Sequence, residues 1–174
     1  MAVSVAAVDD RPLPGDMSHE GDGFEAFYRA NVDRVYRALA VTLRRDELAG
    51  EATAEAMARA YTRWSVVSRL ENPAGWVFRV GLNYATSWWR KVRRERPPAD
   101  DVAHPGPELN ESAVFVREAL AQLPTPQRAV ITCRILLDLT TAETAAALSI
   151  SEGTVKSRLS RGLSALRSAV DGKE

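Results

Sequence analysis

The stretch TAETAAALSISEGTVKSRLSRGLSALR, residues 141–167, has the spacing of two short helices joined by a tight turn. Thr140 and Glu143 stand at capping-box separation, and Ala145 and Leu148 give a small apolar stripe before a turn at 149–151. The next helix starts afresh. Val155, Leu159, Leu163 and Leu166 follow at intervals of four, four and three, which predicts one buried face. The opposite face carries Glu152, Lys156, Ser157, Arg158 and Arg161. The pattern predicts a helix-turn-helix whose second helix enters a DNA groove. A charged face that is merely solvated has the same spacing, so the rest of the chain has to discriminate.

At 174 residues with 45% hydrophobic content, the chain has room for one domain or two small ones. No apolar run reaches the length of a membrane span, and the start, MAVSVAAVDDRP, has no basic leader before its apolar patch. A cytoplasmic protein without membrane insertion is the expectation. Cys133 is the single cysteine, which excludes an internal disulfide, and its apolar neighbours predict a small core residue. The zero net charge is unevenly spread: residues 1–23 and 97–111 are each net −4, whereas 24–96 is net +6 and 112–174 net +2. Local charge governs attraction to phosphates, so a neutral chain with basic blocks suits nucleic-acid binding.

Between the basic blocks, ERPPADDVAHPGPELNE has four prolines, several acids and no helical period, which describes a flexible Pro-rich tether. The expected organisation is all-α: a mobile tail over 1–23, a three-helix domain over 24–96, a linker over 97–111, a four-helix domain over 112–170 and a short tail over 171–174. In the first domain Phe24, Phe27, Tyr28, Val32, Val35, Tyr36, Leu39 and Leu43 recur at helical spacing. A second helix over 47–64 directs Leu48, Ala52, Ala56, Ala60, Tyr61 and Trp64 to a core and Glu47, Glu51, Glu55 and Arg59 outward. A third begins at Asn72 and Pro73, a favoured cap followed by a favoured first residue, and runs along Trp76, Val77, Val80, Tyr84 and Trp88. Helices over 113–122, 126–137, 142–147 and 152–168 make up the second domain. No segment alternates as a strand would.

The third helix ends in RVGLNYATSWWRKVRRER, residues 79–96, where Arg79, Arg90, Lys91, Arg93, Arg94 and Arg96 accompany Trp88 and Trp89. Cations displace counterions from a polyanion, and an exposed indole can stack on an unpaired base, so the composition suits opened DNA. Adjacent helical positions point about 100° apart, so the two tryptophans do not share one role. The loop before this helix either lines a pocket with Ser68, Arg69 and Asn72 or is an ordinary connection.

Four segments together resemble the bacterial RNA polymerase sigma factors of the extracytoplasmic-function (ECF) group: ARAYTRW (58–64), NPAGWVFRVGLN (72–83), LPTPQRAV (123–130) and SEGTVKSRLSRGLSALR (151–167). The likeness spans about 24–169, in the family's order. It implies a non-catalytic initiation subunit, monomeric within the holoenzyme, that binds core polymerase at its clamp helices and flap and recognises minus-10 and minus-35 promoter elements. On that resemblance Glu51, Glu55 and Arg59 meet the core enzyme. Ser68, Arg69 and Asn72 capture a flipped minus-10 base, while Arg79, Asn83, Trp88, Arg90, Lys91, Arg93 and Arg94 follow the opened strand. Glu152, Thr154, Lys156, Ser157, Arg158 and Arg161 face the minus-35 groove. It also implies a masking partner, often an anti-sigma factor. Four positions depart from the family pattern: Ala54 replaces a common Gln, Ser87 and Trp88 replace an acid and base pair, and Ser149 stands where Gly is usual. A free-standing helix-turn-helix regulator is the alternative. An enzyme is not expected: His19 and His104 lie in segments expected to be mobile, no Cys and His cluster has metal spacing, and no Gly-rich phosphate loop appears.

Overall fold

The computed structural model describes the backbone of residues 17–95 and 111–171 and the side chains of 23–88, 90 and 114–171. Expectations for residues 1–16, for 96–110 and for 172–174 lie outside the described residues, as do those for the side chains of Trp89, Lys91, Arg93 and Arg94. Eight α-helices and one π-helical turn follow in order: α1 (Met17–Leu43), α2 (Asp46–Thr62), α3 (Trp64–Val67), α4 (Pro73–Glu95), α5 (Glu111–Ala121), α6 (Thr125–Ile131) with a π turn (Thr132–Leu136), α7 (Thr141–Leu148) and α8 (Glu152–Asp171). No strand occurs among the described residues.

The first block packs α1, α2 and α4 around Val35, Leu39, Ala52, Ala56, Val77 and Phe78, all buried. Small residues on α2 let the helix axes approach closely. At Gly81 the approach is tightest, because a Cβ there would lie 2.7 Å from Leu39 Cδ1 and 3.2 Å from the Ala52 carbonyl oxygen. The helix expected over 47–64 ends at Thr62 instead, and Arg63 leaves helical geometry before the one-turn α3 restarts at Trp64. Trp64 still reaches the core edge, where Phe24 and Phe27 meet its ring at 5.4 and 4.9 Å. Tyr61, expected inside, is 52% exposed and packs edge-on against Phe24.

In the second block α8 crosses α6 and α7 over Val130, Ala145 and Val155. Gly162 is buried against α6, and a Cβ there would fall 2.6 Å from Ile131 Cδ1. Close approach at Gly162 turns the next residue, Leu163, toward solvent, so the expected stripe of Val155, Leu159, Leu163 and Leu166 is broken at that position. The helix expected over 126–137 stays α-helical only to Ile131. It then widens into the π turn, where the Leu137 N–H donates to the Thr132 carbonyl and the Leu139 N–H to the Cys133 carbonyl.

The two blocks lie against one another. Cys133, Leu137, Leu139 and Ala147 are buried in the same apolar cluster as the first block's core. Polar contacts also cross between them. The Thr42 and Thr132 hydroxyls meet at 3.0 Å, Arg117 grips both Asp46 carboxylate oxygens at 2.8 Å, and the Arg34 Nε donates to the Leu136 carbonyl. Burial pushes the Cys133 thiol up to about 12, so it stays protonated at neutral pH, as expected of a small core residue. An apolar groove of about 750 Å³ remains open beside this junction, lined by Tyr36, Ala40, Val116, Leu120, Ile135 and Leu166 among others.

Candidate nucleic-acid interface

The helix-turn-helix forms as its spacing predicts. The Thr140 hydroxyl accepts from the Glu143 N–H at 3.1 Å, and Glu143 Oε2 accepts in return from the Thr140 N–H at 2.6 Å, closing a capping box on α7. Its far end is a Schellman turn: Ile150 N–H reaches the Ala145 carbonyl, and Ser149 N–H the Ala146 carbonyl. Ser149 takes φ 55° and ψ 45°, the left-handed conformation that favours glycine. Ser149→Gly should therefore stabilise the fold by about 1 kcal/mol in chemical denaturation. An unchanged or lower stability would show that the serine side chain offsets its strain.

Ser151 starts α8, its hydroxyl accepting from the Thr154 N–H at 3.1 Å. Beyond it, Glu152, Lys156, Ser157 and Arg161 are exposed, while Thr154 and Arg158 are half-buried. Val155 is fully buried behind them, so the sequence-derived face is presented outward as one surface. α8 packs on α5, α6 and α7, which leaves this face clear of the first block.

On α4, Asn72 is the cap: its Oδ1 accepts from the Gly75 N–H at 3.0 Å. From there Arg79, Asn83 and Arg90 follow at seven, four and seven residues, which at about 100° per residue keeps all four within about 20° of one line. Asn83 and Arg90 are exposed, and so are Ser68 and Arg69 in the preceding loop. Trp88 is set apart. It lies about 160° around the helix from Asn72, half-buried against the first block's core, with the Arg45 guanidinium 5.1 Å over its ring.

Two members of the stripe are occupied by the second block. Asn72 Nδ2 donates to Glu143 Oε1 at 3.2 Å, and Arg79 Nη1 donates to the Ala146 carbonyl at 3.3 Å. The Glu143 carboxyl is held below its ordinary range chiefly by the Thr140 N–H, with the Thr140 hydroxyl, the Asn72 amide and Arg134 adding to the effect. No periodicity pointed to this double role of Glu143. The third sequence-derived surface is the outer side of α2, where Glu51 and Arg59 are exposed beside a half-buried Glu55. There the Arg59 Nε donates to Glu55 Oε1 at 2.7 Å, and Ala54, one position before Glu55, is open to solvent.

Arg128 was missed as a structural residue. It is 5% exposed and donates to the carbonyls of Thr42, Ala121 and Leu123 and to the Thr125 hydroxyl. Desolvation lowers its pKa, and the nearby Arg44 adds to that. A basic residue within an apolar helical segment was the available signal.

Among the described residues no group of His, Cys, Asp and Glu could hold a metal ion, and no helix is long and apolar enough to cross a membrane. Residues 116–166 match the family model for sigma-70 region 4. The RNA polymerase sigma-E factor of Streptomyces coelicolor is 31% identical over 148 residues, covering 83% of this chain and 84% of that protein. The ECF RNA polymerase sigma factor SigL of Mycobacterium tuberculosis is 32% identical over 122 residues, covering 65% and 69%. In fold, the chain is similar to the sigma factor RpoE of Bartonella quintana, solved with the anti-sigma factor NepR (TM-score 0.72, 20% identity, 86% of this chain and 98% of that one). It is also similar to CnrH, solved with the cytosolic domain of CnrY (TM-score 0.62, 18% identity, 91% and 96%). Relatives above 30% identity, matched over more than two thirds of their length, settle the family: this chain belongs to the extracytoplasmic-function sigma factors of bacterial RNA polymerase.

Proposed function

We propose that the chain binds core RNA polymerase and directs it to promoters through two separate DNA contacts, one on α4 and one on α8. The observation that carries this reading is the pair of polar and basic surfaces on different helical blocks, a pairing that one short operator site does not require. In the proposal, Ser68, Arg69 and Asn72 form the minus-10 pocket, with Arg79, Asn83 and Arg90 along the opened strand. Lys91, Arg93 and Arg94 continue the same basic helix in sequence. Trp88 enters as the residue that seats α4 on its core, since stacking on a base would require it to leave that packing and Arg45. Glu51, Glu55 and Arg59 form the polymerase-facing side of α2. Glu152, Thr154, Lys156, Ser157, Arg158 and Arg161 read the minus-35 element. A masking protein of the anti-sigma kind completes the proposal, and the groove bordered by Asp33, Arg37, Asp46 and Arg117 offers it an apolar surface to bury.

The direct test is transcription by purified core polymerase from a promoter library, with and without the chain. Promoter-specific transcripts should appear only when it is present. Tight sequence-specific DNA binding without core, and no gain in transcripts, would sink the reading in favour of a free-standing regulator. Arg158→Ala should lower minus-35 discrimination by about 1–3 kcal/mol if the guanidinium contacts a base edge in bidentate fashion. An equal loss across all promoter sequences would assign Arg158 to a phosphate instead.

A further inference from the structure

The turn between α1 and α2 carries two adjacent arginines, Arg44 and Arg45, in a setting that serves neither the fold nor their charge. Arg44 closes α1: its N–H reaches the Ala40 carbonyl at 2.9 Å with φ at 60°, a left-handed cap where glycine is the unstrained choice. Its side chain is exposed and has no hydrogen-bond or ion-pair partner among the described residues. The nearest acid in sequence, Asp46, has both carboxylate oxygens on Arg117. A second, buried cation lies nearby. Burial lowers the Arg128 pKa and the Arg44 charge lowers it further, so the two guanidiniums repel. Arg128 Nε and Nη2 both donate to the Thr42 carbonyl, which offsets the negative end of α1. A helix end that would repel an anion is thereby made cationic. Arg45 extends this corner to α4, its guanidinium 5.1 Å over the Trp88 ring. The corner therefore meets α4 about 160° around from the stripe that starts at Asn72.

We propose that the α1–α2 corner is a third nucleic-acid contact, in which Arg44 meets the phosphate backbone of the duplex flanking the opened segment. This inference rests on the DNA contact proposed above for α4, because the corner lies across that helix from its stripe. A phosphate there answers the exposed charge and the repulsion from Arg128 together, and strain kept at an exposed cation fits a binding role better than a folding one. Backbone rather than base is the target, since Arg45 occupies the Trp88 ring face on which an unpaired base would stack. The contact carries no sequence information and adds affinity at every promoter.

Arg44→Gly sets folding against binding. It relieves the left-handed strain and the repulsion of Arg128, so the urea midpoint of the chain should rise. Holoenzyme assembled from this variant and core should nonetheless hold a fluorescent promoter duplex, taken from the transcribed library, about fivefold more weakly at low salt. The slope of log affinity against log salt should become shallower by about 0.9, the value for one phosphate. Arg44→Lys keeps the cation and should keep the parent slope. Arg29→Gln removes the same charge from α1 about 22 Å away and should change neither affinity nor slope. An unchanged slope in Arg44→Gly, an equal loss in Arg29→Gln, or a lowered urea midpoint in Arg44→Gly would each overturn the contact. So would a loss confined to one promoter sequence, which belongs to a base edge, or weaker assembly with core at an unchanged slope, which belongs to an acidic protein surface. A parent chain that transcribes while Arg44→Gly matches it in DNA binding refutes the corner alone. A parent chain that gives no promoter-specific transcript refutes the proposed function and the corner with it.

Discussion

Arg128→Ala should destabilise the chain by about 3 kcal/mol in urea denaturation. The guanidinium is buried and bonded only to neutral oxygens, three carbonyls and one hydroxyl. A hydrogen bond from a charged group contributes about 1.5–3 kcal/mol net, and each buried acceptor left unpaired loses about 1–3 kcal/mol. Against this stands relief from burying a charge, reflected in the lowered pKa of Arg128. Four acceptors outweigh one desolvated cation, which sets the sign. Geometry sharpens the case: the Thr42 carbonyl sits in the last turn of α1, where free carbonyls gather, and both Nε and Nη2 reach it. Lysine lacks the planar fork needed to bridge Thr42, Leu123 and Thr125 at once, so Arg128→Lys should recover less than half of the loss. A loss below about 1 kcal/mol for the alanine variant would mean that desolvation nearly cancels the bonds.

Gly81→Val should be comparably damaging, at about 3 kcal/mol, for a reason of packing. A side chain there drives its first carbon to 2.7 Å from Leu39 Cδ1 and 3.2 Å from the backbone oxygen of Ala52. Leu39 is fully buried and Ala52 belongs to a helix backbone, so neither gives way easily. Overpacking of this kind typically costs about 1–3 kcal/mol, and valine adds a second branch in the same gap. Gly50 supplies the contrast. It lies within α2 with nothing inside 4 Å of its added Cβ, so Gly50→Ala should stabilise by about 0.5–1 kcal/mol. Opposite signs at the two glycines are the expected result; a Gly81 variant as stable as the parent would show that α1 can slide away from α4.

Local features were legible in the sequence because their causes are local. Asn72 before Pro73 starts α4 and Thr140 with Glu143 starts α7, each from side chains within a few positions of the backbone they govern. Helical period also placed the exposed face of α8. It erred where a close approach reset the contact: Gly162 of α8, packed against α6, leaves Leu163 facing outward, and the break at Arg63 leaves Tyr61 at the edge of the aromatic cluster. Arg128 and the π turn depend on partners in another helix, which periodicity does not contain. The same holds for the seating of α7 on α4. Asn72 and Glu143 are 71 residues apart, and nothing in the spacing of either helix names the other.

The openness of α2 bears on timing. Its outer side, the proposed polymerase-facing surface, is as accessible with the blocks together as it would be with them parted. If that proposed surface meets polymerase, the encounter needs no prior rearrangement of the blocks. A disulfide between Thr42→Cys and Thr132→Cys, where the two hydroxyls meet, should therefore leave the association rate with core unchanged.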